Sequence, residues 1–193
     1  KRLAFTVDDI QTLDTELRKK ALSNTASDQD RALYDVFTFA IYTGARREEL
    51  GKLRIGSIVD GIIKIEDAKS HAGNRLVPVH SKLKPLLARL SEGRKDNDYL
   101  FKKLTIAQYG HRTDAIGKRF GLVKKALGFD SRYVFHSIRK TVITRLEQSN
   151  VPENVTSDIV GHKKIAGLSY GLYSTGTSIG QRRDAIEMVS YDL

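Results

Sequence analysis

The chain has 193 residues, 40% of them hydrophobic and 29% charged, which is enough for one core, or for a main domain with a small appendage. It contains no cysteine, and this excludes a disulfide scaffold, a thiolate nucleophile and cysteine-based zinc sites. A net charge of +10 favours a polyanionic partner, either nucleic acid or acidic lipid, over a neutral one.

The lysines and arginines are spread along the sequence rather than gathered into a basic tail, so they are expected to decorate a folded surface. No apolar run approaches the roughly 20 residues that span a bilayer, and no charged-then-apolar leader opens the sequence. A cytoplasmic protein without a membrane partner is expected.

In chain order, Thr6 followed by Asp9 predicts a capped helix start, with Ile10, Leu13 and Leu17 then at helical spacing. After a polar break at Ser23 to Asp28, the positions of Leu33, Phe37, Ala40 and Ile41 predict a second helix with one buried stripe. That helix should end at Thr43-Gly44, where glycine can take the left-handed cap. Ala45 to about Leu53 predicts a short helix with Arg46 and Glu49 as i,i+3 neighbours. Read blandly, such a pair is a surface ion pair worth a few tenths of a kcal/mol.

Ile55 to Glu66 is β-branched around Asp60-Gly61, a hairpin turn signal. Leu76-Val77-Pro78-Val79 predicts a further strand, at an edge because of its proline. The polar stretch from Lys69 to Asn74 lies between them as a tip. Ser81 predicts the cap of a helix to Leu90, with Leu83, Leu86, Leu87 and Leu90 inward. Tyr99-Leu100-Phe101 is too short to assign. Thr113 or Asp114 caps a basic amphipathic helix in which Ile116, Phe120 and Val123 face inward. Its outer row, Lys118, Arg119, Lys124 and Lys125, suits a DNA backbone and equally suits a solvated face.

Phe135 to Gln148 predicts a helix headed by His136-Ser137-Ile138-Arg139-Lys140, which sets His136 and Arg139 on one face. A titratable imidazole beside a permanent, forked cation suits an oxyanion, phosphate most of all. Pro152 begins another helix that should end near Gly161-His162. Lys163 to Gly176 is rich in Gly, Ser, Thr and Tyr. Ser178 starts a last helix with Ile179, Ile186 and Val189 apolar. The sequence shows no repeats, low-complexity tracts or convincing linkers. One domain over residues 1–193 is expected, mainly α with a small antiparallel β-sheet insert, an α+β arrangement.

Five signals now fall into one order. Thr43-Gly44-Ala45-Arg46-Arg47-Glu48-Glu49-Leu50 resembles the first arginine box, T-G-x-R-x-x-E-L, of the tyrosine recombinase (phage integrase) family. His136-Ser137-Ile138-Arg139 resembles its second box, H-x-x-R, and Val160-Gly161-His162 resembles its Gly-His ending a short helix. Lys69, shortly before Val77-Pro78, matches the family's β-hairpin lysine, and a tyrosine follows the Gly-His. None of these is specific alone, but together they cover nearly the whole chain.

The resemblance implies the catalytic-domain fold of that family, in a prokaryotic or phage-encoded, nucleoid-associated protein. The implied activity is site-specific DNA recombination through a 3′-phosphotyrosyl intermediate, with no cofactor, metal or ATP. Consistent with this, the sequence has no carboxylate cluster spaced for Mg²⁺ and no Walker loop. Phosphoryl transfer then needs side-chain cations on the phosphate oxygens.

By resemblance, Arg46 and Arg139 clamp the scissile phosphate, and His136 assists proton removal as a general base or hydrogen-bonding partner. His162 donates to a phosphate oxygen, Lys69 protonates the leaving 5′-oxygen, and Glu49 orients the cluster from behind. Lys64 lies near enough in sequence to compete with Lys69 for its place. Tyr173 and Tyr170 follow His162 by eleven and eight residues, and the family's usual interval falls between the two. Leu172-Tyr173-Ser174 precedes a small polar loop, as the family's nucleophile does. Tyr173 is therefore favoured, with Tyr170 the alternative.

The implied partners are double-stranded DNA and copies of the same chain, a tetramer on paired sites docked through the last helix, around residues 178–189. A helix packed on its own domain is the plainer reading of that segment. Family members also carry an N-terminal core-binding domain, and a catalytic fragment without it is expected here. Two rival readings remain: DNA relaxation in the manner of a type IB topoisomerase, and a basic DNA-binding module without catalysis.

Overall fold

The structure is a computed structural model that describes residues 1–66, 74–106, 111–162 and 176–193. Among the described residues it is mostly helical with one small sheet. The elements are α1 (Val7–Leu22), α2 (Asp28–Thr43), α3 (Arg47–Lys52), β1 (Ile58–Val59), β2 (Ile62–Ile65), β3 (Arg75–Pro78), α4 (Lys84–Ser91), α5 (Asp114–Ala126), α6 (Ser137–Gln148), α7 (Glu153–Val160) and α8 (Ile179–Glu187).

The molecule is built around α2. Its buried residues include Leu33, Val36, Phe37, Phe39, Ala40, Ile41 and Tyr42, and so wrap the whole helix. The single predicted stripe is too narrow: a helix apolar all round is a central one. It packs against α1, α3, α5 and α6. Both helix starts are reciprocal capping boxes, Thr6 with Asp9 on α1 and Ser27 with Asp30 on α2. These satisfy backbone donors that the first turn leaves without partners. Gly44 closes α2 in the left-handed conformation, at φ +61°.

The three strands are antiparallel in the order β1-β2-β3. Asp60 and Gly61 both have positive φ, as a two-residue primed turn requires. Ile63 pairs with Val77 and Ile65 with Arg75. Ile63, Ile65, Val77 and Arg75 are all buried, so the alternation of β3 carries an arginine inward. Proline-bearing β3 lies at the sheet edge as expected, and Arg182 of α8 donates to the Leu76 carbonyl at 3.1 Å.

Three local expectations are corrected. The helix after β3 is not capped by Ser81. His80 occupies the cap and accepts from the Lys82 amide, while the Ser81 amide and hydroxyl both donate to Glu187 at 2.7 Å. Thr113 sits at the cap position of α5 but donates its hydroxyl to Glu48. Tyr99–Phe101 has a structural role: Tyr99 bridges Arg54, and Leu100 and Phe101 enter the core.

The last helix packs on its own chain, against α7 and β3. Ala185, Ile186, Val189 and Tyr191 are buried, and the Tyr191 hydroxyl donates to the Ile41 carbonyl at 3.0 Å. Among the described residues, no helix is long and apolar enough to cross a membrane.

Candidate active site

Three stretches far apart in sequence meet at one end of α2. The first follows Gly44 directly. Arg46 stands at the N-cap of α3, and Glu49 reaches back three residues to it. One Glu49 oxygen accepts from Arg46 Nη1 at 2.6 Å and the other from the Arg46 amide at 2.7 Å. Because the Arg46 side chain is 38% exposed, this pair fixes a cation that still faces outward.

The second stretch opens α6. The predicted start at Phe135 is two residues early: Ser137 begins the helix and His136 is its N-cap. Phe135 is instead buried edge-on against Phe120, with ring centroids 5.2 Å apart. Arg139 is only 2% exposed. Its Nη1 donates to the Gly44 carbonyl at 3.0 Å, while its Nη2 is buried with no hydrogen-bond partner among the described residues. Burial, then the charges of Arg46 and Arg75, push this guanidinium down to about 9.

The third stretch ends α7. Gly161 is left-handed at φ +71°, and the amides of Gly161 and His162 both donate to the Ser157 carbonyl, at 2.8 and 3.1 Å. This C-terminal cap turns His162 back toward the arginines. Arg46 Nη2 donates to the Gly161 carbonyl at 3.4 Å.

The two imidazoles share one electrostatic setting. Both are open to solvent on one side, yet both have lowered pKa values. For His136 the causes are partial burial, then Arg139, Arg46, Lys140 and Arg2. For His162 they are partial burial, then Arg139, Arg46, His136 and Arg75. The cations disfavour a further positive charge, so each ring is held neutral and can hydrogen bond at neutral pH.

The structure thus brings together Arg46, Glu49, His136, Arg139 and His162. It adds Arg75, which motif reading missed. The Arg75 guanidinium is 4% exposed and grips Glu49 with two nitrogens, at 2.7 and 3.0 Å. Its Nε donates to the Ile159 carbonyl at 2.8 Å. A signal was available: Arg75 and Val77 share one face of a strand whose Val77 face is buried.

Lys69, Tyr170 and Tyr173 lie outside the described residues. Lys64, the nearby rival to Lys69, is exposed and ion-paired with Glu66 at 2.7 Å. Beside the cluster runs a groove of about 470 Å³, lined among others by Arg46, Arg47, His136, Gly117, Gly121 and Lys124.

The basic row on α5 divides in two. Lys118 and Lys125 are exposed, whereas Arg119 pairs with Asp30 at 2.8 Å. Lys124 donates to the carbonyls of Phe129 and Asp130.

The profile of the Phage integrase family matches residues 5–171. Among curated proteins, none matches the chain significantly. Solved structures do resemble it. XerA recombinase superposes with a TM-score of 0.56 at 18% identity, over 96% of this chain and 58% of its own. The Tn1549 transposon integrase, solved with circular intermediate DNA, gives 0.63 at 16% identity, over 95% and 64%. A lambda integrase tetramer bound to a Holliday junction gives 0.54 at 18% identity, over 85% and 48%. The chain therefore spans about half to two thirds of the length of these proteins.

Proposed function

The chain belongs to the Phage integrase family, and we propose that residues 1–193 act as a catalytic domain that cuts and rejoins DNA in site-specific recombination. The observation that carries this reading is the unpartnered Nη2 of Arg139. A buried donor without an acceptor costs about 1–3 kcal/mol, and in a folded protein such a group calls for an explanation. Set beside an outward-facing Arg46 and two neutral imidazoles, it fits an oxygen of a bound phosphodiester.

In this mechanism the two guanidinium groups hold the non-bridging oxygens, whose charge grows as the nucleophile attacks. Tyr173 attacks phosphorus, with Tyr170 the alternative. Its proton passes toward His136, and the 3′-phosphotyrosyl bond forms as the bond to the 5′-oxygen breaks. Lys69 supplies the proton that the departing 5′-oxygen takes up, and His162 hydrogen bonds a phosphate oxygen. A 5′-hydroxyl from a second strand then reverses the step, so the bond energy is kept without ATP. Side-chain cations take the part a metal ion plays in other phosphoryl transfers.

The groove beside Arg46 and His136 gives the flanking sugar-phosphate backbone room, and the net charge of +10 supports DNA as the partner. Assembly on paired sites, as in the lambda integrase tetramer on its Holliday junction, belongs to the same proposal. If α8 takes part while docked, it offers its outer side around Arg183, Asp184 and Met188. Ala185, Ile186 and Val189 are committed to the chain's own core.

The test is covalent trapping on a pool of nicked duplexes of randomised sequence, resolved on a denaturing gel. The wild type and Tyr170→Phe are expected to form the adduct and Tyr173→Phe to bind without forming it. The reverse pattern moves the nucleophile to Tyr170. DNA binding without any adduct leaves a binding module and sinks the catalytic reading.

A further inference from the structure

We propose that Arg75 is a positioning residue of the phosphate site, which joins the first arginine box to the end of α7 and keeps the charge of Arg46 available to the substrate. The inference rests on the recombinase reading above. It begins from the place of Arg75 on β3, a strand that neither arginine box reaches.

Glu49 is the centre of the arrangement. Its carboxylate is 6% exposed and receives both arginines. Arg46 meets it through Nη1 and the backbone amide, and Arg75 through a two-nitrogen fork. One negative charge is thus shared by two guanidinium groups. With Arg75 present, Arg46 does not neutralise Glu49 alone, and the cluster keeps a net positive charge toward an incoming phosphate. With Arg75 removed, Glu49 is a buried carboxylate whose neighbouring cation is Arg46, and Coulomb attraction pulls that cation inward.

The second link runs to α7. Arg75 Nε holds the Ile159 carbonyl, in the last turn before Gly161-His162. A Cβ on Gly161 would stand 2.9 Å from Arg75 Nη1 and 3.0 Å from its Cδ, so the guanidinium passes directly under the cap that presents His162. Arg46 Nη2 reaches the Gly161 carbonyl from the other side. The chain of contacts closes on itself, from Arg75 to Glu49, Arg46, Gly161 and back through α7. Of the groups Arg75 meets, Glu49 itself holds Arg46, and the Ile159 carbonyl lies in the helical turn that leads into His162. A structural ion pair placed elsewhere in a core lacks that property and is often replaceable by apolar residues of similar volume.

The experiment compares wild type, Arg75→Lys, Arg75→Met and Arg75→Met/Glu49→Gln. Thermal melting checks the fold, inorganic phosphate titrated by NMR reports the empty site, and single-turnover adduct formation at saturating DNA reports the chemistry. Arg75→Met is expected to weaken phosphate binding at least about tenfold. Its adduct rate should fall, by up to about the 10²–10³ that losing an electrostatic donor costs if Arg46 is drawn fully away from the phosphate. Adding Glu49→Gln should restore part of both, because the uncompensated carboxylate is gone, and Arg75→Lys should lie between. Unchanged phosphate affinity and rate in folded Arg75→Met, or a double variant no better than the single one, overturns the proposal. A wild type that binds phosphate but never forms the adduct sinks the recombinase reading instead, and leaves the phosphate arm to judge Arg75.

Discussion

Arg139 donates one nitrogen to the carbonyl of Gly44 at 3.0 Å and leaves its other terminal nitrogen buried without a partner among the described residues. Gly44 is the last residue but one before Arg46, so the second arginine is braced on the backbone that launches the first. The two boxes cannot shift independently, which keeps both forks aimed at one place.

Arg139→Lys tests that geometry. An ammonium is a compact point charge and cannot brace Gly44 while presenting a second, fixed donor to a phosphate. Adduct formation at saturating DNA is expected to fall by about 10²–10³. DNA affinity, dominated by many backbone contacts, should fall far less. Single-turnover rates set beside a binding isotherm separate the two effects.

Gly161→Ala should damage both stability and chemistry. A side chain at φ +71° costs roughly 1–2 kcal/mol. The new Cβ would also stand 2.9 Å from an Arg75 nitrogen that is buried and cannot swing away. Gly44→Ala meets the same backbone penalty, but the atoms nearest its new Cβ belong to the apolar side chains of Val142 and Val160, at 3.1 to 3.3 Å. Urea denaturation is expected to rank Gly161→Ala as the more destabilised of the two.

Much of this was legible because single residues announce it. Thr6, Ser178 and Gly44 mark helix ends through caps whose chemistry is local, and Asp60-Gly61 marks a turn for the same reason. The boxes could be read because each lies within a few residues. What escaped depends on tertiary packing. No local pattern says that α2 is buried all round, since Asp35 and Tyr42 look like surface residues until Arg89 and Tyr191 meet them. Arg75 was missed because its partners, Glu49 and Ile159, are 26 and 84 residues away. The Lys69 and tyrosine assignments fall outside the described residues.

The pH dependence follows from the two imidazoles. His136 and His162 have lowered pKa values in the folded protein, while unfolded histidine titrates near 6.5. Below about pH 6.5 the unfolded chain therefore binds more protons, so stability should fall as pH drops through that region. The acid limb of kcat/KM, which reports the free enzyme, is expected below 6.5, because neutral His136 persists there. A profile already falling above pH 7 would contradict the role assigned to His136. His136→Gln should remove the limb along with most of the rate.

The basic row on α5 gives a prediction in which equal charges behave unequally. Arg119 is engaged by Asp30 at 2.8 Å with both groups partly buried, so its charge is already answered within the fold. Lys118 and Lys125 are exposed. A lysine that neutralises a DNA phosphate releases counterions, and its loss lowers the slope of log affinity against log salt by about one. Lys118→Ala or Lys125→Ala should therefore weaken DNA binding uniformly across sequences and flatten the salt dependence. Arg119→Ala should leave the slope unchanged and cost a few tenths to about 1 kcal/mol of stability, as a partly exposed ion pair does. Binding isotherms at several salt concentrations decide between them. A slope lowered by Arg119→Ala, and by neither lysine variant, would place the DNA backbone along a different face of α5.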